Sequence, residues 1–364
     1  MTNRIVWGNL FHRKTRTLMT VLAISVEVAM ILLILGLSDG LLNESTERKR
    51  GIGADIIIRP SASASTITTG TNGLPESLIG EIEAMPEVAV AAGTMIHLPT
   101  NLQTITGVDW EKLDRMAGGI RFLEGGVFEG PDDVIIDAGY AQQRKAKIGD
   151  TLRLLNHDFR LSGIVETGKM SRVFIPLPTM QNLMGWRSEV SQIYVRLKDP
   201  AQIEATIARL REKLPDHPIR SMEEFISLFS AQTKEMASSF IGAIMGIALA
   251  VGFLVVLLSM YTAVLDRTRD IGILKSLGAS PAYIVNIFLR ETLWMTVAGI
   301  ALGSLITWAV RAAVERLFPL VTILTLEDHV AWAVSIAVFA SIGGALYPAL
   351  SAARKDTIAA LSYD

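Results

Sequence analysis

The sequence predicts an α-helical membrane protein with four transmembrane helices and an α+β extracytoplasmic domain inserted between helices 1 and 2. Three observations carry this. Half of the 364 residues are hydrophobic and the mean hydropathy is +0.39, too apolar for an ordinary soluble chain, while 19% are charged, too many for a chain that is membrane throughout. The apolar residues concentrate in four runs, each long enough to cross a hydrocarbon core that takes about twenty helical residues. Between the first and second runs, residues 38–236 lose that pattern and read as a folded soluble domain.

In chain order, residues 1–16 carry Arg4, His12, Arg13, Lys14 and Arg16 among Val6, Trp7, Leu10 and Phe11 at helical spacing, predicting a cytoplasmic amphipathic helix. Gly8 to Thr15 imitates the end of a phosphate-binding loop, but Arg13 stands where glycine is required and no strand precedes it, so no nucleotide site is expected in this chain. Residues 17–37 form the first span. A basic flank before an apolar run also opens a secretory signal, but this run is too long and lacks a small-x-small end, so it is expected to stay as an anchor. Glu27 lies near its middle. An intramembrane carboxyl is either functional or a protonated or hydrogen-bonded group at a helix contact, and the sequence leaves both open.

Gly40–Arg50 reads as a helical stalk, and Ser61–Gly73 as a Ser/Thr/Gly-rich loop. Strands are expected at Asp55–Arg59, Val88–Ala92, Gln103–Val108, Val134–Asp137, Thr151–Leu155, Phe159–Val165, Val173–Pro176 and Gln192–Leu197. Helices are expected at Glu76–Met85, Ala138–Lys147, Thr179–Leu183, Ala201–Leu214 and Met222–Glu235. Strands and helices without regular alternation argue α+β. Spans two, three and four follow at 237–265, 282–310 and 330–350, with a short extracytoplasmic loop at 311–329 and a tail at 351–364. Gly242 and Gly246, and Gly299 and Gly303, place small residues on one helix face as packing sites.

Residues 266–281 form a charged segment between two spans, with both helix ends specified. Gly278 suits a left-handed terminus, and Ser280 before Pro281 gives the next helix an N-cap and a first-turn proline. Ile273, Leu274 and Leu277 are expected on one face; Arg267, Arg269, Asp270 and Lys275 supply the polar one.

The stretch Asp266-Arg-Thr-Arg-Asp-Ile-Gly-Ile-Leu-Lys-Ser-Leu-Gly-Ala-Ser280, followed by Phe288-Leu-Arg-Glu-Thr-Leu293 and a glycine-bearing apolar run, resembles the coupling-helix region of an ABC transporter permease superfamily. That superfamily includes MacB, LolC and LolE, FtsX, and the DevC and HrtB exporters. Within the domain, Asp132 to Leu154, then Gly163 to Lys169 and Val173 to Gly185, resembles its extracytoplasmic fold. The ending from Tyr347 to Asp364 resembles its C-terminus, although Thr357 stands where a proline is frequent. The resemblance implies that Arg267, Arg269, Asp270, Ile271, Gly272, Ile273, Leu274, Lys275, Leu277 and Gly278 dock on a separate cytoplasmic ATPase, which would hold ATP and magnesium. It also implies that an acidic residue at Glu291, beside Arg290, anchors the coupling segment; the pair also fits an ordinary interfacial position.

Basic residues flank the first span, the 266–281 segment and the tail on one side of a four-span arrangement, which the positive-inside rule makes cytoplasmic. The resemblance implies the bacterial cytoplasmic (inner) membrane, and the basic flanks put the large domain outside. A net charge of −2 gives no polyelectrolyte signal, so nucleic acid is not an expected partner. The lack of cysteine excludes disulfides, thiolate metal sites and cysteine nucleophiles. His97 and His157 form no ligand motif, no Gly-x-Ser-x-Gly is present, and Asp132–Asp133 reads as a turn rather than a catalytic pair, so no catalytic, metal or cofactor site is expected.

The resulting expectation is a permease subunit without a fused ATPase, coupling a partner's ATP cycle to extracytoplasmic motion that exports or extracts a hydrophobic or lipid-like cargo. Expected partners are the ATPase, a second permease copy or relative, an envelope adaptor and membrane lipid. Two other classes stay open: an FtsX-like signalling subunit that activates a cell-wall hydrolase without transport, and a membrane-anchored sensor without an ATPase.

Overall fold

The computed structural model describes residues 8, 14–61, 73–97, 104–186, 188–318, 321–324 and 327–354. The expected N-terminal amphipathic helix, the loop around 61–73 and most of the 351–364 tail lie largely outside these. The chain divides into two compact units: residues 1–40, 237–316 and 323–364 form a helical unit, and residues 41–236 and 317–322 a sheet unit.

The helical unit is built from four helices long and apolar enough to cross a membrane. They are α1 (Lys14–Arg50), α7 (Met222–Asp266), α9 (Pro281–Leu317) and α10 (Glu327–Arg354), with the short α8 (Thr268–Ser276) between α7 and α9. Residues 41–50 of α1 and 222–236 of α7 belong to the sheet unit, so each helix is shared between the units. The loop expected from residue 311 begins later, because α9 continues to Leu317; an Arg311–Glu315 pair at 2.7 Å, one turn apart, supports the added turns.

Within this unit α1 is the most buried of the four. Ile24, Val28, Ile31 and Leu32 are each about 1% exposed. Its neighbours approach closely because they present glycine. A methyl added at Gly303 would lie 2.7 Å from the Ser25 carbonyl oxygen, and one at Gly299 would lie 2.6 Å from Ile24 Cγ2. Gly242 and Gly246 behave differently: among the described residues, nothing lies within 4 Å of a methyl at either position. Near the last residues that α1 contributes to the helical unit, Leu324 donates its N–H to the Gly36 carbonyl at 2.9 Å, and His329 Nε2 sits 2.9 Å from Asp39 Oδ2.

The sheet unit carries β1 (Ile56–Ile58), β2 (Leu74–Pro75), α2 (Ser77–Glu83), β3 (Val88–His97), β4 (Ile105–Val108), α3 (Trp110–Ala117), β5 (Phe122–Gly125) and β6 (Asp133–Asp137). After these come α4 (Ala138–Arg144), β7 (Thr151–Leu154), β8 (His157–Val165), β9 (Val173–Pro176), α5 (Leu177–Met184), β10 (Glu189–Val190), β11 (Gln192–Leu197), α6 (Ile203–Lys213) and β12 (Ile219–Ser221). Ten strands form one mixed sheet in the order β12-β1-β11-β3-β4-β9-β6-β8-β5, with β7 also on β8. Only β4–β9 and β6–β8 are parallel among the described pairs.

Both faces of the sheet are covered. Ile79 and Ile82 of α2, Tyr140 of α4, Met180 of α5 and Ile207 and Leu210 of α6 pack on one face. Met116 of α3 and Met222, Phe225 and Ile226 of α7 pack with Ile57, Val90 and Tyr194 on the other. Cover on two sides explains why β1 and β6 read as unbroken apolar runs instead of alternating ones.

The expected strands recur with shifts of a few residues, β3 extending furthest, to His97. Five elements were not expected, two of them the short strands β2 and β10, which pair with each other. Helix α3 is capped by Asp109, whose carboxylate accepts from Lys112 N–H, and ends at the left-handed Gly118. Strand β5 is a mostly exposed edge, and β12 is three residues long.

A Gly303→Ala change should cost about 1–3 kcal/mol by forcing α1 and α9 apart, whereas Gly246→Ala should leave the fold's stability within a few tenths. Thermal unfolding of the two purified full-length variants checks the contrast.

Candidate functional site

The site is built on α8. Its end is a full Schellman closure: Gly278 has φ +93°, its N–H reaches the Lys275 carbonyl at 3.0 Å, and Ala279 N–H reaches the Leu274 carbonyl at 3.0 Å. Ser280 then caps α9, its hydroxyl accepting from Tyr283 N–H at 3.2 Å, with Pro281 in the first turn. Backbone chemistry therefore fixes the angle at which α8 leaves α9.

The faces of α8 divide differently from the expectation. Thr268, Ile271 and Gly272 point into the helical unit and are buried. Ile273 and Leu277 point out, at 43% and 79% exposed, and Leu274 joins Leu277, Gly278, Ala279, Ser280 and Tyr283 in lining an open groove of about 450 Å³. Arg269 and Asp270 are exposed beside them. The solvent-facing side is thus partly apolar, and Gly272 serves inward packing instead of an outward surface.

The base of α8 is held by an ion cluster. Glu291 on α9 is fully buried. Its Oε1 accepts from Arg16 NH2 at 2.9 Å and its Oε2 from Arg267 NH1 at 2.9 Å. Arg16 opens the first span and Arg267 is the residue from which α8 starts. One carboxylate therefore joins α1, α8 and α9. Both guanidiniums are themselves largely buried, at 14% and 11% exposure, so removing the carboxylate leaves positive charge without compensation in a poorly solvated place. Arg290, its neighbour in sequence, is exposed and reaches Asn286 Oδ1 at 3.0 Å.

Glu27 lies on α1 at 5% exposure, and neither carboxylate oxygen has a hydrogen-bond partner among the described residues. It fills the space left by Gly252 on α7, where a methyl would come within 2.0 Å of Oε2. Seven residues earlier on α1, Thr20 Oγ1 meets Ser259 Oγ at 2.7 Å. Ser259 is in turn seven residues beyond Gly252, so these contacts fall two helical turns apart along one antiparallel seam.

A second joint, which the sequence did not disclose, lies in the sheet unit where α1 ends. Arg48 donates to Glu44 at 3.1 Å, to the buried Asp137 at 2.7 Å and to the Ser171 carbonyl at 3.2 Å. Asp137 is also the N-cap of α4, accepting from Tyr140 N–H. Arg172 pairs with Glu44, and Met170 N–H reaches the Arg48 carbonyl at 3.1 Å. Lys49 sits 3.6 Å above the Phe229 ring of α7 and donates to Ser45 at 2.9 Å. Burial pushes its ammonium down to about 8.

The other candidates have structural roles. His157 pairs with Asp132 at 2.8 Å on the surface. Asp133 closes a turn by accepting from the Glu129 and Gly130 N–H groups. Burial would raise its carboxyl, but hydrogen bonds from Arg160 and these two backbone groups outweigh it and hold the carboxyl below the usual range.

Two outcomes follow. Glu291→Gln should cost about 3–5 kcal/mol, whereas Arg269→Gln, at an exposed position, should stay within about 0.5 kcal/mol; thermal unfolding of the full-length protein measures both. For Lys49, the unfolded chain holds the proton more tightly than the folded one between pH 8 and the ordinary 10.5. Stability therefore rises across that window, by about 1–2 kcal/mol after allowance for the ring and remaining solvent. Lys49→Met should flatten that rise, as read from melting curves against pH.

Comparison with known proteins agrees with this architecture. Residues 17–213 match the family described as MacB-like periplasmic core domain, and residues 242–357 match the FtsX-like permease C-terminal family. Among relatives, the macrolide export ATP-binding/permease protein MacB of Nitrobacter winogradskyi is 24% identical over 99% of this chain and 60% of its own length. The uncharacterized ABC transporter permease YknZ of Bacillus subtilis is 22% identical over 99% of this chain and 98% of its own. The pyoverdine export ATP-binding/permease protein PvdT of Pseudomonas syringae pv. syringae is 26% identical over 99% and 58%. The chain thus spans about three fifths of the MacB and PvdT relatives and nearly all of YknZ. Among solved structures, the periplasmic region of MacB from Actinobacillus actinomycetemcomitans matches half of this chain and 94% of that one, with a TM-score of 0.39 and 14% identity. With a periplasmic-type domain between its first two membrane helices and an FtsX-like bundle after it, this chain belongs to the MacB/FtsX family of ABC transporter permeases, multi-pass proteins of the cytoplasmic membrane with a large extracytoplasmic domain.

Proposed function

We propose that this permease couples the ATP cycle of a separate cytoplasmic ATPase, which holds the nucleotide and magnesium, to movement of its extracytoplasmic domain, and that the movement exports or extracts a hydrophobic or lipid-like cargo. The observation that carries the reading is α8: an apolar ridge of Ile273 and Leu277 exposed beside a groove, on a short helix whose root is clamped by Glu291. Exposed leucine and isoleucine on the side the basic residues make cytoplasmic favour a protein partner. A rigid root passes displacement of the ridge to α1 and α9 instead of absorbing it.

The helices α1 and α7 continue without interruption from the helical unit into residues of the sheet unit, and the Arg48 cluster fixes the end of α1 to β6 and α4. Force entering at α8 therefore has covalent, helical routes outward. A second permease copy or a relative completes the assembly in this reading; the open faces at Gly242 and Gly246 suit a helix from outside the chain. An envelope adaptor and surrounding lipid are the remaining partners. The relatives MacB and PvdT are both export proteins, which favours transport over signalling.

Replacing Leu277 with aspartate tests the docking surface without touching the buried face of α8. Burying a leucine is worth about 1.5–3 kcal/mol, so ATPase co-purification should fall at least tenfold while the permease's own melting temperature stays unchanged. Wild-type co-purification and ATP turnover by the variant would overturn the reading.

A further inference from the structure

We infer that Glu27 is an intramembrane proton-binding site, and that its occupancy controls whether the seam between α1 and α7 is closed or parted. Glu27 is 5% exposed, neither carboxyl oxygen has a hydrogen-bond partner among the described residues, and the group is pressed against the Gly252 backbone of α7. A carboxylate in such a place has lost its water without gaining a donor, which is the costliest state for a charged group.

Among the described residues, no counter-charge is within reach along the helices that form the bundle. The remainder of the first span (17–38) has no other charged residue, and residues 237–265 of α7 and 330–353 of α10 have none. Arg16 and Arg267, with Glu291 between them, mark the cytoplasmic end, and Arg290 is on the same turn of α9. Further along α9, Arg311 and Glu315 pair with each other at 2.7 Å, two turns or more beyond the Gly303 that packs against Ser25 beside Glu27 on α1, and Arg316 follows them. Asp39 and His329 are paired at the other end. At 1.5 Å per residue, Arg16 and Asp39 are each about 16–18 Å from Glu27 along α1. The remaining way to neutralise the carboxyl in the closed seam is to form an O–H bond with a proton taken from water.

The neutral acid fits the observed contact. Gly252 supplies only Cα hydrogens, adequate as weak partners for an uncharged carboxyl and far too weak to hold an anion. If α1 and α7 separate, water reaches the group, the O–H bond breaks and the proton passes to that water. The resulting anion then resists reburial against Gly252. Thr20–Ser259, two turns toward the cytoplasm, closes the same seam with neutral groups and has no such preference.

The site rests on packing within the helical unit and does not require the docking reading; only the idea that the ATPase drives the parting does. Two measurements on the full-length protein in lipid nanodiscs test it. Infrared difference spectra at neutral pH should show a carboxylic-acid C=O stretch that disappears in Glu27→Gln and shifts in Gly252→Ala, where the added methyl displaces the group. Because the chain has no native cysteine, spin labels placed at the exposed Val26 and Val251 report the seam directly. The distance should lengthen as pH rises in the wild-type background and stay short at every pH in Glu27→Gln, which mimics the neutral acid. The terminal clusters persist in that variant, so a pH response it retains belongs to them. Carboxylate bands from Glu27 at neutral pH, or an identical pH response in the Gln variant, would overturn the inference. If Leu277→Asp leaves ATPase binding intact while both signatures appear, the proton site stands and the docking reading falls.

Discussion

The helical unit depends on one buried carboxylate. Glu291 is the point at which three helices are held together: Arg16 comes from the start of α1, far away in sequence, Arg267 from the base of α8, and Glu291 itself from α9. Its full burial makes the interaction obligatory, because no member of the cluster can regain water if a partner is lost. The Schellman closure at Gly278 acts beside it, setting the direction of α8 through the backbone alone. Together they turn a segment that composition would class as a loop into a fixed helix with an exposed apolar edge.

A second theme is the use of missing side chains. Gly299 and Gly303 let α9 approach α1 to backbone distance, and Gly252 makes the recess in which Glu27 sits. Apolar burial contributes little between helices whose alternative surroundings are lipid, so close van der Waals packing and a few polar contacts do the holding. This is why the polar contacts fall at a few positions: Arg16–Glu291 at one end of the helical unit, Thr20–Ser259 along the seam, and Asp39–His329 at the unit's other end. The helix made central by these contacts is the one whose far end is fastened by Arg48 into the sheet unit.

The sheet unit shows the opposite economy. Its strands are covered on both faces, its helices carry side-chain caps at Asp109 and Asp137, and its ion pairs mostly lie at the rim. Asp137 serves twice, capping α4 and receiving Arg48, so the joint with the stalk is built on a residue the domain already needs for its own fold.

The sequence alone was enough for the four spans, the intervening domain, the ends of α8 and the cytoplasmic side, because hydrophobic run length, capping residues and basic flanks are local signals. Helix α3 was equally local: Asp109 before Trp110, Leu113 and Met116, with Gly118 following, is a capped amphipathic pattern that the strand-rich surroundings obscured. Strands β5 and β12 were not legible, since an exposed edge and a three-residue strand take their identity from the neighbour they pair with. The inward turn of Gly272, the meeting of Arg16 and Arg267 at Glu291, and the recess at Gly252 were decided only by the tertiary structure. Each joins residues far apart in the chain, and burial and ion pairing are properties of that juxtaposition, which no window of sequence contains.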